Sequence, residues 1–135
     1  NLTVQGAASD GIGINATPGV TLHMTGCAVT DNPGGGILLN GVAFDITNTT
    51  VTGNGPNTTG TTPWGGVYIE TLPSAGATTL DLVTIQNNNG GGLTCSGAIQ
   101  GTGVLSTGNI NTPTQLSTPC NVISCASAST TCGAQ

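Results

Sequence analysis

Five carboxyl side chains, one imidazole, five cysteines and the phenol of Tyr68 are the whole ionisable side-chain inventory of this 135-residue chain, which contains no Lys or Arg. Two carboxyls facing each other across a groove at about 5 to 9.5 Å would make a glycosidase pair. The candidates are Asp10, Asp31, Asp45, Glu70 and Asp81. His23 beside a carboxylate would make a dyad, but no nucleophile accompanies it. Trp64 and Tyr68, close to Glu70, could form an aromatic platform on which a sugar ring stacks. No Cys-x-x-Cys, paired His or Asp-x-Asp-x-Asp-Gly loop is present, so neither a metal nor another cofactor is expected. The Gly pairs precede no helix and therefore cradle no phosphate. Whether any of these residues meet depends on the elements that carry them.

Charged residues are 4% of the chain and hydrophobic ones 36%, well dispersed. That composition fits neither a solvated disordered chain nor an apolar membrane span. A chain with no cation makes no basic patch, so nucleic acid is excluded as a partner. Twenty-three glycines, with abundant Asn and Thr, leave no window for a helical apolar stripe. Short runs such as Ile37-Leu38-Leu39 and Val67-Tyr68-Ile69, bounded by Gly and Asn, read as strands.

Those strands repeat. Leu22, Met24, Val29 and Asn32 fall on Phe44, Ile46, Val51 and Asn54 at a constant offset of 22. A third copy places Leu80, Val83, Ile85 and Asn88 on Ile46, Thr49, Val51 and Asn54 after an insertion of 12 residues. Glycine-led strands follow each copy. Their alternation sets Ile12, Ile37, Val67 and Leu93 in one inward column, and Ile14, Leu39, Ile69 and Cys95 in the next. Within that frame Glu70 aligns with Asn15, Asn40 and Ser96, Asp31 with Gly53, and His23 with Asp45 on an outward face, so no two acidic residues share a column.

A repeat of about 22 residues with alternating inward side chains and Gly/Asn turns is what a coil of a parallel β-helix requires, since each coil buries its apolar face only by stacking. On these residues the chain resembles the right-handed parallel β-helix repeat family, the pectate-lyase-like superfamily. The fold expected is an all-β solenoid of about four to five coils over residues 1–111, roughly 20 Å tall, followed by an irregular Ser/Thr/Cys-rich tail at 112–135. The resemblance also implies an interior ladder of stacked polar side chains, with Asp10, Asn32, Asn54 and Asn88 as its rungs. Pectate lyases use a basic residue as proton acceptor, and none exists here to take that role.

Cys27 and Cys95 fall in inward columns two coils apart, about 10 Å and beyond disulfide reach, so both are expected as core thiols. Cys120, Cys125 and Cys132 in the tail are the disulfide candidates: one pair would close a loop, and the odd thiol could reach Cys95, link a second chain or stay free. Such usage suits an oxidising, extracellular or cell-surface setting.

The expected function is a non-enzymatic extracellular structural protein, a β-helical subunit of a fibre or surface solenoid. It would self-associate head to tail by coil stacking, because open coil ends without Lys invite pairing. A glycan-binding adhesin module using Trp64, Tyr68 and Glu70 is the alternative. Ice binding through the Thr columns, Thr25 with Thr47 and Thr30 with Thr52, is the weakest.

Overall fold

A computed structural model of the chain describes residues 1–15, 19–58, 63–110 and 120. Cys125, Cys132 and the expected boundary near residue 111 lie outside the described residues. All the regular structure among the described residues is β. The strands are β1 (Thr3–Gln5), β2 (Ile12–Asn15), β3 (Thr21–Thr25), β4 (Ala28–Thr30), β5 (Ile37–Asn40), β6 (Ala43–Thr47), β7 (Thr50–Thr52), β8 (Trp64–Thr71), β9 (Thr78–Asp81), β10 (Thr84–Gln86), β11 (Gly91–Cys95), β12 (Gln100–Thr102) and β13 (Leu105–Thr107).

Every third strand pairs in parallel. The three sheets run β1-β4-β7-β10-β13, β2-β5-β8-β11 and β3-β6-β9-β12, which is a parallel β-helix of four three-strand coils plus one further strand. In-register pairing aligns Val4, Val29, Val51, Ile85 and Ser106 in one inward column. Ile12, Ile37, Val67 and Leu93 form a second, and Ile14, Leu39, Ile69 and Cys95 a third, as the alternation requires. Met24, Ile46, Leu80 and Gly101 form a fourth.

Local chemistry explains the corners. Gly6, Asp31, Gly53, Asn87 and Gly108, with φ of 72°, 52°, 69°, 52° and 63°, occupy equivalent left-handed turn positions after the first sheet. Glycine and Asx residues adopt that conformation at the least steric cost. Gly66 and Gly101 mark the tightest approaches: a Cβ at Gly66 would lie 2.1 Å from the Gly92 carbonyl oxygen and 2.5 Å from Ile85 Cγ2, and one at Gly101 2.1 Å from the Leu80 carbonyl oxygen.

The residue after each left-handed turn is a rung of a buried ladder. The Asn32 backbone N–H donates to Asn54 Oδ1 at 3.0 Å, that of Asn54 to Asn88 Oδ1 at 3.0 Å, and that of Asn88 to Asn109 Oδ1 at 3.0 Å. Each side-chain amide N–H also donates to the next rung's Oδ1 and to a carbonyl of the preceding coil, as Asn54 Nδ2 does to Asn88 Oδ1 at 3.0 Å and Val29 O at 2.9 Å. Asp10 is not a rung. The first coil is 25 residues long, pairing Val4 with Val29, so the ladder level in that coil falls on Ala7, whose N–H donates to Asn32 Oδ1 at 2.9 Å.

Candidate functional site

The two ends of the solenoid differ. Val4, Ile12, Ile14 and Leu22 of the first coil are half-buried. Their counterparts one coil on, Val29, Ile37, Leu39 and Phe44, have no exposed surface. Leu2 and Val20 beside them are 59% and 45% exposed. The strands β1, β2 and β3 are the edges of their sheets, so half their backbone groups point away from the second coil.

At the opposite end the inward columns terminate in Cys95, Gly101 and Ser106 where earlier coils carry Ile69, Leu80 and Ile85. Cys95 is joined to Cys120 by a disulfide. Cys120 is buried, with Sγ 3.7 Å from the Leu93 carbonyl oxygen. Leu93, Ile99 and Val104 of this coil are 0%, 3% and 1% exposed. The ladder also ends here in a polar residue: Asn109 Nδ2 donates to Ser106 Oγ at 3.2 Å, in the place that another Asn would take. At the first coil Ala7 ends it with a side chain that accepts nothing.

The disulfide corrects the expectation that Cys95 is a core thiol and takes one of the outcomes left open for the tail cysteines. Its occurrence suits an oxidising environment. Cys27 is free and half-buried rather than in the core.

The aromatic platform is not formed. Trp64 is 1% exposed, its ring lying against Gly35, where a Cβ would be 2.6 Å from the indole. It is fixed by paired hydrogen bonds with Asn57, whose N–H donates to Trp64 O at 2.7 Å and whose carbonyl accepts from Trp64 N–H at 3.0 Å. The Trp64 and Tyr68 rings are 5.5 Å apart between centroids. The indole N–H has no hydrogen-bond partner among the described residues. Glu70 is exposed and out of the expected alignment, because a register shift pairs Asn40 with Thr71. Burial, reinforced by the Glu70 charge, raises the Tyr68 phenol above its ordinary pKa.

The carboxylates are dispersed. Asp10 accepts from Asn57 Nδ2 at 2.8 Å; burial raises its pKa, and that hydrogen bond partly opposes the rise. Asp31 accepts from Gln5 at 3.2 Å, and Asp81 Oδ1 from the N–H and hydroxyl of Thr102, each at 2.9 Å. His23 Nδ1 lies 3.6 Å from Asp45 Oδ2 on the outer face, with the side chains 71% and 46% exposed. Among the described residues no three His, Cys, Asp or Glu side chains come together. A cavity of about 250 Å³ at the corner lined by Val20, Thr21, Gly41, Ala43 and Ser74 holds no ionisable group. Thr25 with Thr47 and Thr30 with Thr52 do align, but on different sheets, so they form no single array.

No helix among the described residues is long and apolar enough to cross a membrane. No family model, curated protein or solved structure matches the chain.

Proposed function

We propose that the chain is a non-enzymatic extracellular structural module, a β-helical unit that associates by stacking a further β-coil on its β1–β3 end. The observation that carries this reading is the gradient of burial along each inward column, from half-buried Val4, Ile12, Ile14 and Leu22 to fully enclosed Val29, Ile37, Leu39 and Phe44. An aliphatic core face bordered by unpaired strand edges gains free energy by being covered. Lys, a common guard of such edges, is absent. The disulfide supports the extracellular setting.

Cys120, joined to Cys95 and buried at the opposite end, favours the β1–β3 end as the stacking surface. Static light scattering over a wide concentration range tests it. An average mass rising above the 13.1 kDa of a single chain is expected, and a constant single-chain mass up to millimolar protein contradicts it.

A further inference from the structure

We infer that Asn57 and Trp64, between β7 and the start of β8, form a strap that couples the first coil to the third, so that neither opens without loss of a bond the two share. In a solenoid each coil ordinarily contacts only its neighbours, and coils that are not adjacent are energetically independent. A direct bond across two coil spacings removes that independence. The contact lies on the flank of the stack, between turns, and involves neither end.

The sequence separations of the ladder show that the third coil carries surplus chain. Successive rungs are 22 residues apart from Asn32 to Asn54, and 34 apart from Asn54 to Asn88. Part of the surplus lies between β7, which ends at Thr52, and β8, which starts at Trp64. From there Asn57 reaches back 47 residues: its Nδ2 donates to Asp10 Oδ1 of the first coil at 2.8 Å and to the Gly34 carbonyl oxygen of the second. Stacked strands are about 4.8 Å apart, so the first and third coils are separated by roughly 10 Å, beyond any backbone hydrogen bond. Two side chains meeting end to end close that distance.

The base of the strap is fixed. The Asn57 N–H and carbonyl both pair with Trp64 in an antiparallel bridge. Trp64 in turn is buried, seated on Gly35 of the second coil with the Tyr68 ring beside it. The turns beneath are trimmed to glycine, since a Cβ at Gly34 would fall 2.3 Å from the Ser9 carbonyl oxygen and one at Gly35 2.6 Å from the indole. Asn57 and Asp10 are both half-buried. Groups held in this way lose little further side-chain entropy when the amide meets the carboxylate. A hydrogen bond to a charged acceptor should then shift the opening equilibrium of either coil about tenfold or more. The coupling is reciprocal: whatever the strap adds to the hold on the first coil, the first coil adds to the hold on the strap.

The backbone supplies reporters remote from the bond itself. The Phe44 N–H donates to Ala77 O of the third coil at 2.8 Å, and Leu22 is its counterpart one coil back. By the same ladder geometry the Leu22 N–H donates toward the second coil, on a different sheet from the turn that carries Asp10. The Trp64 N–H, donating to Asn57 O at 3.0 Å, reports lifting of the strap. The Leu105 N–H, donating to Val83 O at 2.9 Å, reports the far end of the stack.

The test is residue-resolved hydrogen exchange of the full chain in dilute solution, for Asp10→Ala, Asn57→Ala, the double variant and Asp10→Asn. Both single alanine variants should accelerate exchange at Leu22 and at Trp64 about tenfold or more, with Leu105 unchanged. The double variant should be no faster than Asn57→Ala alone. Asp10→Asn, whose amide oxygen still accepts from Asn57, should keep the slow rates. Unchanged Trp64 exchange in Asp10→Ala, or unchanged Leu22 exchange in Asn57→Ala, would overturn the coupling. So would accelerations that multiply in the double variant, an equal acceleration at Leu105, or an Asp10→Asn protein as fast as Asp10→Ala.

Discussion

Replacing Asn54 with Ala removes the middle of the ladder, and the consequence follows from its bonds. Asn54 has no exposed surface. Its Oδ1 accepts from the Asn32 backbone N–H at 3.0 Å and from Asn32 Nδ2 at 2.9 Å. Its Nδ2 donates to Val29 O and to Asn88 Oδ1. After truncation Asn32 Nδ2 still has Val4 O, and Asn88 Oδ1 still receives the Asn54 backbone N–H. The Asn32 N–H loses its acceptor in a dry interior, whereas the Val29 carbonyl keeps the ladder bond that the register of β4 with β7 gives it. At about 1–3 kcal/mol for a buried group left unsatisfied, the expected loss is about 2 kcal/mol. That is a large share of the total stability of a domain this size. Urea unfolding followed by far-UV circular dichroism measures it, with Asn40→Ala as the control. The Asn40 amide makes only a 3.4 Å contact to Asn15 Oδ1 at the exposed surface, so its loss should stay within about 0.5 kcal/mol. A loss below about 1 kcal/mol for Asn54→Ala would refute the claim that the ladder satisfies the interior turn.

Other outcomes follow from the same coordinates. Cys120→Ser opens a disulfide between residues 25 apart and should cost about 3.5 kcal/mol by loop-closure entropy, read as a lower urea midpoint. Leu82 holds φ 52 while 60% exposed, so Leu82→Gly should stabilise by about 1 kcal/mol and raise the melting temperature. Gly66→Ala drives a methyl into the Gly92 carbonyl and should lower the urea midpoint more than any exposed Gly→Ala change. Burial raises the Asp10 pKa in the folded state above its ordinary value of 3.8. Its contribution to stability is therefore full below that ordinary value and is lost as pH rises through the raised one. Asp10→Asn should be the more stable protein at neutral pH, and the two should converge in acid when melts are compared across pH.

The columns were legible because strand alternation and a 22-residue offset constrain each other: a one-residue slip at Ile46 or Val51 would expose every aliphatic neighbour. The same offset misled at the first coil. Three extra residues between Asn15 and Leu22 lengthen it to 25, so Asp10, 22 residues before Asn32, is not at the ladder level and Ala7 is. Asn109 was missed as a rung because its coil carries Gly101 and Ser106 where the pattern leads one to look for aliphatics. Spacing along a strand says nothing of how an insertion folds over it, which is why Trp64 read as a surface ring although its pairing with Asn57 seats it against Gly35. The asymmetry of the two ends was half-visible in the composition of the last coil, but the pairing of Cys95 with Cys120 required the fold.

Hydrogen exchange of the edge amides as a function of protein concentration tests the central claim most directly. Amides on the free edge of β1–β3, among them His23, should exchange rapidly in dilute protein and become protected as concentration rises, while those of β12 keep one rate throughout. Equal, concentration-independent exchange at both ends would contradict an association surface at the β1–β3 coil.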